Sequence, residues 1–162
     1  GLAVGQHGLM GKQNLYDHSI RVPLTVCGPG IPEGERSDAL CYLLDVFPTL
    51  CDLVDLPTPE SVEGRSLAPI VRGEGAPVYE NLFFAYMNCQ RAIRDHRWKL
   101  VEYFEEAERV TQLFDLAADP WETANLASAP DMDEQLTRLR GELRRWQREI
   151  DDPMAEGIDG DR

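Results

Sequence analysis

The chain has 162 residues, of which 43% are hydrophobic and 28% charged. That balance suits one globular core with a small appendage and excludes a fibre, a repeat array or a wholly disordered segment. The formal net charge of −13 repels phosphates and anionic lipid, so neither a nucleic acid nor a membrane surface is an expected partner. Basic residues are almost all arginine, and Lys12 and Lys99 are the two lysines.

No stretch reaches the roughly 18 uninterrupted apolar residues of a membrane helix, and the Gly-Leu-Ala-Val-Gly-Gln-His start lacks the charged and apolar regions of a signal peptide. The expectation is a soluble chain, with the compartment of any longer parent unreadable. Because it opens without Met in a glycine-rich, turn-like segment, it reads as a fragment. Cys27, Cys41, Cys51 and Cys89 form no C-x-x-C pair and have no ligand-like His spacing. Zinc is therefore not expected, and the cysteines read as buried free thiols of a reducing compartment.

In chain order, the Gly-rich and polar residues 1–19 predict a long loop feeding a buried strand at Ile20–Cys27, which Gly28-Pro29-Gly30 closes. Between Asp38 and Leu56 the apolar spacing predicts two short helical pieces broken near Asp45–Pro48, with Pro48 in the first turn of the second. Pro57, Pro59, Pro69, Pro77 and three glycines then mark a surface connection, with one apolar island at Leu67–Val71 and a subdomain boundary near residue 70. Strand-like texture follows at Val78–Tyr86, Gln90–Arg94, Trp98–Tyr103 and Val110–Leu116, with Asp95-His96 as one turn and Glu105-Glu106-Ala107-Glu108 as a polar loop. Met132, Leu136, Leu139, Leu143, Trp146 and Ile150 recur at alternating spacings of 4 and 3, one stripe of an amphipathic helix packed on that sheet. The acidic stretch 151–162 has no periodicity and is expected to be mobile. The organisation is thus α/β (more narrowly α+β), with residues 1–70 as one part, 71–150 as a small antiparallel sheet plus helix, and 151–162 as a tail.

Chemistry points to the first segment. Glycines at 5, 8 and 11 let backbone approach a ligand closely, and Lys12 offers a compact positive charge with three donors for a sulfate or phosphate group. Gln13 stands where a Walker loop needs Ser or Thr, so this is not a nucleotide P-loop. Spacing alone leaves an anion-binding loop and a solvated surface lysine both open.

The same segment resembles the sulfatase family of the alkaline phosphatase-like superfamily, whose Gly-x-His-Gly-x-x-x-Lys loop runs through Tyr-[Glu/Asp]-x-x-x-Arg-Val-Pro. Here that pattern is Gly5-Gln6-His7-Gly8, Lys12, Tyr16-Asp17 and Arg21-Val22-Pro23. Further matches follow in family order: Asp45-Val46-Phe47-Pro48-Thr49-Leu50-Cys51-Asp52-Leu53, Val62-Glu63-Gly64-Arg65-Ser66-Leu67, Arg91-Ala92-Ile93-Arg94-Asp95 with Lys99-Leu100, and Leu113-Phe114-Asp115-Leu116 with Asp119-Pro120-Trp121-Glu122 and Asn125-Leu126.

The resemblance implies the C-terminal portion of a sulfuric ester hydrolase. On that footing residues 1–70 supply the last strand and helices of the main α/β domain, and Lys12 is the catalytic residue that contacts the sulfate. His7 would line the substrate entrance or hydrogen-bond within its own loop. His18 and His96 are expected to be structural, Arg21 to make a packing salt bridge, and Lys99 to be an indifferent hairpin residue.

The family's formylglycine motif, [Cys/Ser]-x-Pro-[Ser/Ala]-Arg, is not found at any of the four cysteines or at Ser128, and the acidic calcium ligands cannot be placed. The resemblance therefore implies calcium and formylglycine in the intact enzyme, no metal ligand in this chain, and a chain inactive by itself. A phosphodiester or phosphonate monoester hydrolase of the same superfamily, and a non-catalytic interaction domain, stand as alternatives. Apolar surface on Ile20–Val26 and the Leu40–Val54 helices is expected to drive self-association.

Overall fold

The computed structural model describes residues 1–104 and 109–155. The expected Glu105–Glu108 loop and residues 156–162 of the expected tail lie outside the described residues. Two compact units are present, one made of Gly1–Val22 with Phe83–Arg162 and the other of Pro23–Leu82. This partition differs from a division near residue 70, because the N-terminal segment packs on the sheet that follows it by some eighty residues.

The sheet of the first unit has four strands in sequence order, β3 (Leu82–Tyr86), β4 (Gln90–Arg94), β5 (Trp98–Phe104) and β6 (Arg109–Asp115). A two-stranded hairpin precedes them, β1 (Ala3–Val4) paired antiparallel with β2 (Met10–Gly11). The β4/β5 and β5/β6 pairings are antiparallel, with Ile93 opposite Leu100 and Leu100 opposite Leu113.

Successive strand residues face opposite sides of a sheet, and here both sides are covered. Ile93, Leu100 and Leu113 pack with Leu136, Leu139 and Leu143 of the helix Asp133–Glu149. Their neighbours Ala92, Val101 and Phe114 pack with Leu15 and Tyr16.

The predicted stripe is buried as far as Trp146, which packs against that cluster. Ile150 is exposed instead, because the helix ends at Glu149 and Gln147 turns inward to donate to Asp152 Oδ2 at 3.0 Å. Beyond the helix Asp152 is also pinned, receiving Arg91 Nε at 2.6 Å and Nη2 at 2.7 Å, with both side chains almost fully buried. Nearby on the same face, the buried Glu102 accepts from Arg140 Nε at 2.9 Å and Thr111 Oγ1 at 2.7 Å.

The strand expected at Ile20–Cys27 is not formed. Asp17–Ile20 closes as a single helical turn, α1, and residues 21–27 run outside any ladder with Val22 and Leu24 exposed. A strand requires a hydrogen-bonded neighbour, and none of the described residues pairs with this segment.

In the second unit, Leu43–Asp45 forms a 3-10 turn that leads into α2 (Val46–Leu53), with Pro48 in its first turn as the sequence implies. The Leu67–Val71 island is more than a surface connection: α3 (Ala68–Val71) forms there, and Leu67 and Ala68 are buried. Asp45 organises this unit. Its fully buried carboxylate accepts from the Tyr42 backbone N–H at 2.7 Å, the Arg65 N–H at 2.8 Å and the Tyr79 hydroxyl at 2.8 Å. Gly64 is required beside it, since a Cβ there would lie 2.2 Å from the Leu44 carbonyl oxygen.

The cysteines do not share one environment: Cys51 is buried, Cys41 and Cys89 are half-buried and Cys27 is exposed, all as free thiols.

The Arg91 guanidinium holds the Asp152 carboxyl down to about 2, against an opposing effect of burial. A carboxylate depressed in the folded state stabilises fully above the usual carboxylate range, and that stabilisation is lost as pH falls from about 4 towards 2. Asp152→Ala should cost about 3 kcal/mol at neutral pH, because Arg91 would remain buried and unpaired. Urea unfolding at pH 7 and at pH 2 checks this, with the gap to the parent chain shrinking at the lower pH.

Candidate functional site

The glycine-rich segment is a built turn and not the long loop its composition suggests. Between β1 and β2 the chain folds through a 3-10 turn at Gln6–Gly8, with Gly5 at φ 102°, Gly8 at 71° and His7 itself left-handed at 52°. Gly5 N–H donates to the Leu9 carbonyl at 2.9 Å, and Val4 N–H donates to Gln6 Oε1 at 2.6 Å. Such positive φ values are open to glycine at no steric cost. Lys12 follows β2 directly, with Gly11 at φ 120°, and its side chain is exposed.

His7 does not turn back on its own loop. Its Nε2 lies 3.1 Å from the Trp121 carbonyl oxygen, and since a carbonyl can only accept, that nitrogen carries the proton. Its ring stacks on Tyr16, with centroids 4.0 Å apart and planes 6° from parallel. Tyr16 in turn packs edge-on against Phe114 and donates its hydroxyl to Gln112 Oε1 at 2.9 Å. His18, expected to be only structural, lies 5.5 Å from the His7 ring and lines the same groove.

Below this aromatic layer lies a buried ionic cluster that the sequence did not disclose. Lys99 is fully buried and donates to the Asp17 carboxylate, to Glu122 Oε1 at 2.6 Å and to the Leu15 carbonyl at 3.2 Å. Glu122 accepts from the Asp17 backbone N–H at 2.6 Å, and Arg94 pairs with Asp17 at 2.9 Å. Lys99 is therefore no indifferent hairpin residue. Its place beside Leu100 and Val101, both fully buried, was the available signal, but its partners lie 82 and 23 residues away in sequence.

Burial alone would raise the Asp17 carboxyl; the Lys99 ammonium, then Arg94 and Arg21, outweigh it and leave the group below the usual carboxylate range. Arg94 thus fills the pairing expected of Arg21, which is exposed on the groove rim. His96 is exposed in the β4–β5 turn, where Asp95 Oδ1 caps the Arg97 and Trp98 N–H groups at 2.8 and 2.6 Å.

Among the described residues no three His, Cys, Asp or Glu side chains gather to hold a metal ion. Asp17 and Glu122, the carboxylates nearest the groove, are committed to Lys99 and Arg94. A calcium ion does not fit these donors, and no helix of the described residues is long and apolar enough to cross a membrane.

Comparison with known proteins agrees with this architecture. The family model described as N-sulphoglucosamine sulphohydrolase, C-terminal, matches residues 5–149. The choline-sulfatase of Rhizobium meliloti is 41% identical over 133 residues, which cover 78% of this chain and 25% of that protein. A solved structure in complex with its substrate D-glucosamine-2-N,6-O-disulfate matches with a TM-score of 0.84 at 25% identity, over 94% of this chain and 33% of that one. A phosphonate monoester hydrolase from Silicibacter pomeroyi matches with a TM-score of 0.72 at 26% identity, over 88% of this chain and 32% of that one. The chain spans about a quarter of the length of the curated relatives it matches.

His18 gives the site a measurable signature. Burial, then the neighbouring His7, hold its imidazole below the usual histidine value, against the opposing charge of Glu122. Its folded value being depressed, the associated stabilisation is present above the ordinary histidine range and is lost as pH falls below it. An NMR titration of the three histidines should show His18 protonating below pH 6.5; a midpoint at or above that value would contradict the packing described.

Proposed function

The chain belongs to the sulfatase family, as a C-terminal portion of the alkaline phosphatase-like fold, and from that premise we propose that it completes the active site of a sulfuric ester hydrolase by supplying Lys12. The observation that carries the reading is the contrast between the two lysines. Lys99 is consumed by the buried ion cluster, whereas Lys12 is exposed and directly follows a β-hairpin whose turn is closed by backbone hydrogen bonds.

The ammonium of such a lysine acts electrostatically. It would face the oxygens of the sulfate ester and stabilise charge as the sulfur–oxygen bond to the leaving alcohol breaks, with little reorganisation during the step. His7, with its Nε2 proton committed to Trp121, positions the turn and borders the substrate entrance. Formylglycine and calcium belong, on this reading, to parts of the enzyme beyond these residues, and the chain alone is inactive. The apolar side chains left open on α2 and its C-cap, Phe47, Leu50 and Val54, are the surface through which isolated copies self-associate.

The likeness to a phosphonate monoester hydrolase favours a second reading, in which the ester is centred on phosphorus. Lys12 serves either centre, so parallel assays of an aryl sulfate and an aryl phosphonate with the intact enzyme separate the two.

In the intact enzyme Lys12→Ala should lower turnover by about 10²–10³ while leaving the fold unchanged. Lys12→Arg should restore it only partly, because a planar fork replaces a compact charge. Retention of near-normal kcat/KM by Lys12→Ala, in a protein with an unchanged circular dichroism spectrum, would refute the assignment.

A further inference from the structure

Lys12 stands in a gap of two exposed residues between two anchored stretches of backbone. On one side Gly11 is paired in the hairpin with Ala3, which is fully buried. On the other side Asn14, Leu15 and Tyr16 are all buried, Leu15 and Tyr16 against Ala92, Val101 and Phe114 of the sheet, and Asn14 Oδ1 accepts from the Tyr16 N–H at 3.2 Å. Only Lys12 and Gln13 span the interval, and both are exposed. Packing therefore does not orient the backbone at Lys12, and a hydrogen bond within the span has to.

Gln13 makes that bond. Its side chain folds back along the chain so that Oε1 accepts from the Lys12 backbone N–H at 3.1 Å. Gln6 does the same for the other strand of the hairpin, where its Oε1 accepts from the Val4 N–H. The space that the Gln13 amide occupies exists because residue 11 is glycine: a Cβ there would lie 2.9 Å from Gln13 Oε1, whereas a Cβ at Gly5 or Gly8 would meet nothing within 4 Å. Gly11 thus serves its own φ of 120° and the seat of the amide together. Because a peptide unit is planar, an acceptor fixed on the Lys12 N–H sets the plane of the Gly11–Lys12 peptide. That plane sets the direction in which the Lys12 side chain departs.

We propose that Gln13 is a positioning residue for Lys12, its folded-back amide aiming the lysine from a seat that Gly11 leaves open. The inference rests on the reading of Lys12 as the residue that faces the ester. It gives Gln13 no contact with substrate, so its influence passes through Lys12 alone. A neutral, exposed hydrogen bond is individually weak, but a small displacement of a group that stabilises the transition state is costly in rate. The effect falls on turnover far more than on folding.

The test has a spectroscopic and a kinetic arm. Gln13→Met keeps the length of the side chain and removes its amide acceptor, whereas Gln13→Glu keeps an acceptor at the same reach. In NMR of the 162-residue chain, the Lys12 amide proton should move upfield and exchange faster in Gln13→Met, and should stay in place in Gln13→Glu. In the intact enzyme Gln13→Met should lower kcat and kcat/KM equally, by about tenfold, with KM unchanged. The double variant Lys12→Ala with Gln13→Met should be no slower than Lys12→Ala, since two changes acting through one group do not add. A Lys12 amide unmoved by Gln13→Met, normal turnover in that variant, or a further loss in the double variant would each overturn the proposal. Near-normal turnover in Lys12→Ala, with the amide shift present, would instead overturn the Lys12 assignment and leave the Gln13 contact standing.

Discussion

One buried ammonium sets the geometry of the first unit. Removing a lysine charge from water costs several kcal/mol unless paired carboxylates and further acceptors replace the lost hydration. Lys99 meets that requirement with Asp17, Glu122 and the Leu15 carbonyl, which come from three separate stretches of chain. Neither carboxylate can move away without leaving the charge uncompensated. The N-terminal segment and the loop after β6 are thereby tied to β5 at one point, close to the His7–Tyr16 stack and to the exposed indole of Trp121.

The opposite face of the sheet follows the same rule with other residues. There α4 (Asp133–Glu149) supplies leucines to the apolar core, while Glu102–Arg140 pins its middle and Arg91–Asp152 the segment just past its C-terminal end. Apolar area gives the packing its bulk, but hydrophobic contact is non-directional. The buried pairs are directional, and on both faces they link segments far apart in sequence. The second unit repeats the device on a smaller scale, with the Asp45 carboxylate gathering Tyr42, Arg65 and Tyr79.

Elements governed by local periodicity were legible in the residues. The helix stripe from Met132 to Trp146, the strand Gln90–Arg94 and the step from a 3-10 turn into α2 at Asp45 follow from spacing and from Pro48. The strand expected at Ile20–Cys27 shows the limit of that reasoning, since an apolar run specifies a strand only where a neighbour completes its hydrogen bonds. Lys99 shows the same limit for the site. Strand alternation marks it as inward-facing, but no sequence rule names its partners at Asp17 and Glu122. Trp121 was hidden for a related reason: it is exposed beside a Glu122 that is buried against Lys99. Lys12 and His7 could be singled out through family resemblance, whereas the groove formed by His18, Arg21 and Trp121 exists only once the cluster has closed.

The central claim, that Lys99 anchors the N-terminal segment independently of the sheet core, is tested most directly by hydrogen–deuterium exchange on Lys99→Met. If the claim holds, amides within Gly5–Ile20 exchange far faster than in the parent chain, while those of Ile93, Leu100 and Leu113 keep their protection because the leucine core against α4 is untouched. Unchanged protection across Gly5–Ile20, with the sheet equally protected, would contradict it.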